Sequence, residues 1–240
     1  MRTPSAETEL TTLDRVLVTH LDVLDPPSIR QAVSEGVDRF GTIDVLLNNA
    51  GYGAYGPLEA TSPEKIRRQF DVNVIGLLLV TQAVLPHLRA QRHGTIVNIS
   101  SIGGKMTFPL GTLYHGTKFA VEGLSEALHF ELRAFGVTVK LIEPGMVATD
   151  FAGRSFDFSN DPALQEYQPL VGAFTAAMGG MAATAAPAAT VAEVIFEAAT
   201  DESPRLRYEA GLDATQLLAA RRDAGDERFV EGIRAQFGIA

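Results

Sequence analysis

Tyr114 and Lys118 carry side chains whose types and spacing could move a proton. Residues four apart on a helix lie one turn from each other on the same face. A tyrosine phenol has a pKa of about 10 and exchanges protons poorly near neutral pH, but a neighbouring ammonium group favours the phenolate. Ser101, thirteen residues before Tyr114, could polarise a carbonyl oxygen held beside the phenol. By itself, this spacing is a weak signal, and it more often marks a partly exposed helix face.

For such a site to form, Ser101 must lie at the end of a strand, and Tyr114 and Lys118 must lie on a neighbouring helix. The apolar run Ile96–Ile99 predicts a strand that ends at Ser100 and Ser101, and a helical pattern covers residues 112–135. The same reasoning predicts a strand at Val16–Leu21, a helix from Ser28 to Phe40, a strand at Val45–Asn48, a helix over 62–92, a strand at Val137–Ile142, a helix at 190–199, a strand at Arg205–Tyr208 and one or two helices through Phe237. Three of these helices are expected to end at Gly41, Gly94 and Gly136.

Strands that alternate with helices and are almost wholly apolar indicate a parallel sheet covered by helices on both faces. Right-handed crossovers bring the carboxyl ends of all the strands to one edge, where ligands bind in open α/β sheets. Asp22, Asn49, Ser101 and Gly145 each lie at or just beyond the end of a predicted strand. We therefore expect one α/β domain over residues 1–240 with its ligand site along that edge.

The composition narrows the function classes. The net charge is −9 and there is no Lys/Arg-rich run, which argues against a nucleic-acid partner. The chain has no cysteine, and its five histidines do not have zinc-ligand spacing, so we expect no metal site. No secretory signal is recognisable, and the longest uninterrupted apolar runs are too short to span a bilayer. These features predict a cytoplasmic enzyme that does not act at a membrane.

Gly51, Gly53 and Gly56 match the G-x-G-x-x-G spacing of a dinucleotide fingerprint, and Asp71 lies twenty residues after Gly51. In that fingerprint the third glycine lies inside a helix that packs on the strand. Here Pro57 follows Gly56, the helix begins several residues later, and Asp71 falls within a helical pattern. The context therefore favours glycines that let the backbone turn tightly or approach a ligand, rather than a pyrophosphate cradle.

Residues 150–187 differ from the rest of the chain in being rich in Phe, Ala, Gly and Met with little periodicity. Two interpretations are equally open. The large apolar residues could line an adaptable substrate cleft, or the segment could be an irregular helical excursion that packs on the core. The residues concerned are Phe151, Phe156, Phe158, Tyr167, Phe174, Met178 and Met181.

Five motifs, in order and over nearly the whole chain, resemble the short-chain dehydrogenase/reductase family. They are Asn48-Asn49-Ala50-Gly51 after a strand, Asn73 within Asp71–Val74, Ser101 after the strand Ile96–Ile99, Tyr114-x-x-x-Lys118, and Pro144-Gly145-Met146-Val147-Ala148-Thr149. The resemblance implies a Rossmann-like, doubly wound parallel sheet and an oxidoreductase that uses NAD or NADP.

The resemblance also implies a catalytic role for four residues. Tyr114 would be the general acid in reduction and the base in oxidation, and Lys118 would lower its pKa and hold the nicotinamide ribose. Ser101 would bind the substrate oxygen, because the family spacing to tyrosine matches the second of the two serines. Asn73 would anchor a proton-relay water; the alternative is an ordinary polar residue that bends its helix.

The cofactor contacts that the resemblance implies lie along the same sheet edge. Asp22 would contact the adenine and its ribose, together with the loop residues Asn49, Ala50 and Gly51. Tyr114 and Lys118 would meet the nicotinamide ribose. Pro144 and Gly145 would also contact the cofactor, and Thr149 would contact the carboxamide end of the nicotinamide. For Asp22, a turn residue that flanks a helix is the alternative interpretation.

The beginning of the chain departs from the family pattern. The family begins with a strand, a T-G-x-x-x-G-x-G turn, a helix and a second strand, whereas this chain begins at Met1-Arg2-Thr3-Pro4. The missing turn presents backbone N–H groups to the pyrophosphate, and the missing strands would leave an open apolar sheet edge. We therefore expect either a start farther upstream or an N-terminally truncated product with impaired cofactor binding. Arg2 falls where NADP-preferring members often carry a basic residue, which hints at NADP.

Three hypotheses of function follow. The first is an NAD(P)-dependent oxidoreductase that moves a hydride between nicotinamide and the alcohol or ketone carbon of a hydrophobic small molecule. The second is a cofactor-impaired remnant that only folds and oligomerises. Helices 62–92 and 112–135 would form the homodimer or homotetramer interfaces in either case, as they do in the family. The third is an epimerase or lyase on the same scaffold, which no residue specifically favours.

Overall fold

A computed structural model describes residues 1–239, and the side chain of Ala152 is not among its described parts. The helices are α1 (Pro26–Phe40), α2 (Pro63–Phe70), α3 (Leu77–Gln91), α4 (Thr112–Leu132), α5 (Phe151–Arg154), α6 (Gln168–Ala182), α7 (Ala188–Thr200) and α8 (Leu212–Gln236). The strands are β1 (Val45–Asn48), β2 (Gly53–Tyr55), β3 (Gly94–Ile99), β4 (Val137–Pro144), β5 (Val147–Ala148), β6 (Phe156–Phe158), β7 (Ala186–Pro187) and β8 (Arg207–Ala210). The main sheet has the order β1-β3-β4-β8, and all its strands are parallel.

Both faces of this sheet are covered by helices, as predicted. Successive residues of a strand point to opposite faces, which separates Ile96 from Val97 on β3. Ile96 packs with Val84 and Leu88 of α3, whereas Val97 packs in a second apolar cluster with residues of α7 that include Ala198. The fold is therefore an α/β Rossmann-like parallel sheet.

Glycine ends two of the three helices expected to stop in this way. Gly41 follows α1 with φ 85°, and Gly136 follows the short 3₁₀ turn after α4 with φ 74°. Both positive φ values are favourable only for residues without a Cβ atom. The helix end predicted at Gly94 is wrong, because α3 ends at Gln91 and the left-handed residue is Arg92. Gly94 instead begins β3.

The predicted strand at Val16–Leu21 is not formed. Two backbone hydrogen bonds join this segment to residue 1: the Met1 ammonium donates to the Thr19 carbonyl at 2.8 Å, and the Leu21 N–H donates to the Met1 carbonyl at 3.0 Å. A strand requires a neighbour to complete its ladder. Among the described residues β1 pairs only with β3, so it forms a sheet edge.

The helical run Pro63–Gln91 is continuous through a π-helical segment at Asp71–Gly76 that joins α2 to α3. Its 29 residues are long and apolar enough to cross a membrane by length and composition alone, a test that the core helices of soluble proteins also pass. In this fold α3 supplies Val84 and Leu88 to the core beneath the sheet. The run is therefore a core helix of the α/β domain.

The segment 150–187 folds back on the glycine-rich loop, which contains a strand that the sequence pattern did not reveal. Strand β2 pairs in parallel with β6, with Gly53 opposite Phe156 and Tyr55 opposite Phe158. At Gly56 an added Cβ atom would lie 2.0 Å from the Ser159 carbonyl oxygen. The glycine therefore permits a close backbone approach and is not part of a helix, as its context predicted.

Candidate active site

The structure brings Ser101, Tyr114 and Lys118 together at the carboxyl end of β3. Ser101 follows that strand, and its hydroxyl accepts a hydrogen bond from the Gly103 N–H at 3.0 Å. Tyr114 and Lys118 lie in the first two turns of α4. The Lys118 ammonium lies 5.7 Å from the centre of the Tyr114 ring and donates to the Ile99 carbonyl at 2.9 Å.

Burial shifts the pKa values of the phenol and the ammonium in opposite directions. Burial raises the pKa of Tyr114, and a hydrogen bond with Ser101 partly opposes that rise. Burial lowers the pKa of Lys118 to about 8, whereas the carboxylate of Glu122 opposes the fall. The Tyr114 phenol is therefore protonated at neutral pH, and Lys118 is not among the causes of its pKa shift, so the lowering of the Tyr114 pKa by Lys118 stays a prediction.

Asn73 lies in the π-helical segment and joins the glycine-rich loop to α4. Its Oδ1 accepts from the Tyr52 N–H at 3.0 Å, and its Nδ2 donates to the Tyr52 carbonyl at 2.8 Å and to the Thr117 hydroxyl at 3.1 Å. π-Helical turns often occur at functional sites. The amide side chain is therefore occupied by protein groups, and the anchoring of a relay water by Asn73 stays a prediction.

Aromatic rings from the neighbouring loop and segment cover Tyr114. The Tyr55 ring stacks on Tyr114 with 5.3 Å between centroids, and the edge of Phe151 lies 6.2 Å away. Tyr55 also stacks on Phe156 at 5.2 Å and packs against Phe174 at 5.7 Å. Segment 150–187 thus packs against the site through Phe151 on Tyr114 and through Phe156 and Phe174 on Tyr55, and its role as a substrate cleft stays a prediction.

His115 was not singled out from the sequence, and the structure shows it bracing the loop after Ser101. Its Nδ1 lies 3.0 Å from the Gly103 carbonyl oxygen, and its Nε2 accepts from the Phe108 N–H at 3.0 Å. An imidazole that accepts at Nε2 and donates at Nδ1 is neutral, and burial lowers the pKa of His115. A Cβ atom at Gly103 or Gly111 would lie within 3 Å of the ring, so both glycines make room for it. The adjacency of His115 to Tyr114 was the only signal in the sequence.

The predicted cofactor residues lie along the same edge of the sheet. Asn49, Ala50 and Gly51 are exposed where β1 ends; Pro144 is buried at the end of β4; Gly145 is half-buried; and Thr149 is exposed. Asp22 lies just before α1, where its carboxylate accepts from the Leu24 N–H at 3.0 Å. The alternative interpretation of Asp22 as a turn residue therefore describes its contacts, and its cofactor contact stays a prediction.

Comparison with known proteins places this arrangement in a family. The family model of the short chain dehydrogenases matches residues 2–160. An uncharacterised oxidoreductase of Schizosaccharomyces pombe is 46% identical over 244 aligned positions, which cover 100% of both chains. This chain belongs to the short-chain dehydrogenase family. A 3-ketodihydrosphingosine reductase of Bacteroides thetaiotaomicron is 45% identical over 137 positions, 57% of this chain and 50% of that protein.

Solved structures of short-chain dehydrogenases share the fold. A short-chain dehydrogenase from Streptomyces avermitilis matches with a TM-score of 0.82 and 32% identity over 100% of this chain and 87% of that chain. A gluconate 5-dehydrogenase from Burkholderia cenocepacia, in complex with NADP and tartrate, matches with a TM-score of 0.66 and 25% identity over 82% of this chain and 74% of that chain. The family and these structures support an oxidoreductase that uses a nicotinamide nucleotide.

The residues of this short-chain dehydrogenase fit one end of such a nucleotide better than its middle. The Lys118 ammonium and the Tyr114 phenol are adjacent hydrogen-bonding groups suited to ribose hydroxyls. At Gly145 an added Cβ atom would lie 2.1 Å from the Asp213 carboxylate, which also accepts from the Met146 N–H at 2.7 Å. Within residues 1–239, β1 is not preceded by the strand–glycine turn–helix unit that would hold the pyrophosphate.

Proposed function

We propose that this short-chain dehydrogenase transfers a hydride between the nicotinamide of NAD(P) and the alcohol or ketone carbon of a hydrophobic substrate. The observation that carries the proposal is the meeting of Ser101, Tyr114 and Lys118 at the carboxyl end of β3. A bound nicotinamide would supply the hydride in reduction and accept it in oxidation.

In the direction of reduction, the Tyr114 phenol donates its proton to the carbonyl oxygen as the carbon receives the hydride. The Ser101 hydroxyl donates a hydrogen bond to the same oxygen and stabilises the negative charge that develops there. The Lys118 ammonium stabilises the phenolate that Tyr114 becomes. In oxidation the same phenolate removes the proton from the alcohol.

The substrate class follows from the surroundings of the phenol. Tyr55, Phe151 and Phe156 place apolar ring surface beside Tyr114, and such surfaces bind apolar substrates. The relative from Bacteroides thetaiotaomicron supports a keto substrate with apolar character, because its name specifies reduction of 3-ketodihydrosphingosine. We propose residues 150–187 as the substrate-facing part of a single domain.

The exposed Arg2 favours NADP over NAD, and we propose a cytoplasmic location.

Replacing Tyr114 tests the proposed chemistry. In Tyr114→Phe the ring and its stacking remain, but the proton donor is lost. We expect a fall in kcat of about 100-fold or more, with little change in the melting temperature. The measurement is NADPH or NADH oxidation with a panel of apolar ketones. Activity equal to that of the unaltered protein in Tyr114→Phe would rule out the phenol as the acid.

The second candidate function, a cofactor-impaired remnant that folds and oligomerises, is favoured by the exposed edge strand. Val45 and Leu47 are 42% and 43% exposed, and β1 has one partner strand among the described residues. Titrating the 240-residue protein with NADH and NADPH, followed by nucleotide fluorescence, separates the two candidates. Micromolar binding would contradict the remnant, and no binding at millimolar nucleotide would contradict the dehydrogenase.

A further inference from the structure

Two buried carboxyl groups lie close together: Glu122 on α4, the helix that carries Tyr114 and Lys118, and Glu143 on β4. Glu122 is 4% exposed and Glu143 is 3% exposed. The Arg207 guanidinium lies between them: its Nε donates to Glu122 Oε2 at 2.8 Å and lies 3.6 Å from Glu143 Oε1. Oε1 of each carboxyl accepts no hydrogen bond from any described residue. The two buried acids thus share the Arg207 guanidinium, and Oε1 of each lacks a hydrogen bond from the described residues.

One cation is insufficient for this cluster. Arg207 also donates to Glu126 Oε2 on the exposed side of α4, so three carboxyl groups draw on one guanidinium. Burying two like charges close together is costly, and such pairs retain a proton instead. Burial and the neighbouring Glu122 raise the pKa of Glu143 to about 7, whereas Lys105 and Arg207 oppose that rise.

The pair is connected to solvent. Glu143 lines a cleft of about 600 Å³. The cleft is otherwise lined by charged residues and one leucine: Lys105, Arg205, Arg207, Glu209, Leu218, Arg221 and Arg222. At Gly104, an added Cβ atom would lie 2.7 Å from the Ser100 hydroxyl and 2.9 Å from Glu122 Cγ. The Ser100 hydroxyl is also buried without a partner among the described residues. Glu143 therefore borders the cleft directly, and the Ser100 hydroxyl and Glu122 both lie against Gly104.

The pair is also connected to Lys118. Glu122 follows Lys118 by one helical turn on the same face of α4, and both side chains are buried. The negative charge of Glu122 is the interaction that favours the ammonium form of Lys118 against the cost of burial. Among the described residues, Glu122 is the one carboxylate that affects the pKa of Lys118.

We propose that Glu122 and Glu143, bridged by Arg207, form a buried acid–base pair that exchanges a proton with solvent through the cleft and maintains the charge of Lys118. Glu122 acts as a positioning residue, because it works through Lys118. The charged groups that face the pair are Lys118 and Glu126 on α4, Lys105 after β3, and Arg207 on β8. This inference concerns the protonation of Lys118 and does not require turnover.

The first experiment measures the pH dependence of stability. The pKa of Glu143 is raised in the folded protein from 4.5 to about 7. The protonated carboxyl therefore contributes fully to the stability of the folded protein below about pH 4.5, and this contribution is lost as pH rises through 7. In Glu143→Gln the side chain cannot ionise, and we expect the fall in melting temperature between pH 5 and pH 8 to shrink by about 2–4 °C. The control is Glu131→Gln, because Glu131 is exposed on the same helix and forms no ion pair with Arg207. A slope in Glu143→Gln equal to that of the unaltered protein would overturn the proposal.

The second experiment observes Lys118 directly. The chain has four lysines (65, 105, 118 and 140), so ¹³Cε-labelled lysine gives four signals. The signal that disappears in Lys118→Arg is that of Lys118. In the unaltered protein we expect this signal to titrate near pH 8. In Glu122→Gln the titration midpoint of the Lys118 signal should fall by about one pH unit, and in Glu126→Gln it should be unchanged. An unchanged midpoint in Glu122→Gln would overturn the connection to Lys118 whether or not the enzyme turns over.

Discussion

At the scale of single residues, the candidate site depends on the desolvation of groups that must still exchange protons. The phenol of Tyr114 and the ammonium of Lys118 are both buried, and Ser101 and Glu122 each partly offset the effect of burial on one of them. The neutral His115 holds the loop after Ser101 through two backbone groups, Gly103 and Phe108. Local hydrogen bonds thus position the side chains of Ser101, Tyr114 and Lys118, for which we propose the chemistry.

Removing the imidazole bonds tests the role of His115. His115→Phe keeps a ring between the two glycines but leaves the Gly103 carbonyl and the Phe108 N–H without their partner. We expect a loss of about 2–3 kcal/mol in the free energy of unfolding, measured by urea denaturation, because two buried polar groups become unsatisfied. His93→Phe is the control, because His93 is exposed. Equal stability of the two variants would contradict the bracing role.

At the scale of secondary structure, the helices are delimited by backbone conformation more than by tertiary contacts. Gly36 and Gly41 lie in and at the end of α1, and an added Cβ atom would meet nothing within 4 Å at either position. The two differ in backbone angle, because Gly41 has φ 85° whereas Gly36 is within the helix. Any difference between alanine substitutions at these positions therefore reports the conformational preference alone.

We expect Gly36→Ala to stabilise the protein by about 0.5–1 kcal/mol, because alanine is the better helix former. Gly41→Ala should destabilise it by about 1 kcal/mol, because the left-handed conformation is costly for a residue with a Cβ atom. Chemical denaturation of the two variants gives both values. Shifts of the same sign would show that the end of α1 is not held in the left-handed conformation.

At the scale of the whole molecule, an apolar surface remains on the helices that the family resemblance predicts to form interfaces. Phe130 of α4 is 70% exposed and Phe119 is 46% exposed. A cleft of about 420 Å³ is lined by residues of the π-helical segment, α3 and α4: Ile75, Leu78, Leu79, Thr81, Gln82, Leu85 and Leu128. A second copy of this chain, held through the same two helices, is the expected partner for this surface.

Light scattering coupled to size exclusion tests this interface. Phe130→Glu places a charge within the expected contact, so we expect dimers or tetramers to dissociate. Phe196→Glu is a matched control, because Phe196 is 71% exposed on α7, which the prediction does not include. A monomeric unaltered protein, or dissociation by Phe196→Glu alone, would contradict the predicted interface.

The sequence by itself determined the order of the strands of the main sheet and of the helices between them, and it placed Ser101 at a strand end with Tyr114 and Lys118 on the following helix. These properties follow from apolar periodicity, from glycines such as Gly41 and Gly136, and from one-turn spacing on a helix, all of which act within a few residues. The tertiary structure decided the rest. Val16–Leu21 has strand composition but no ladder partner to complete it, and the aromatic cover of Tyr114 depends on Tyr55 pairing with residues a hundred positions away. The Glu122–Arg207–Glu143 cluster likewise joins α4, β8 and β4, because only the folded sheet brings their charges together.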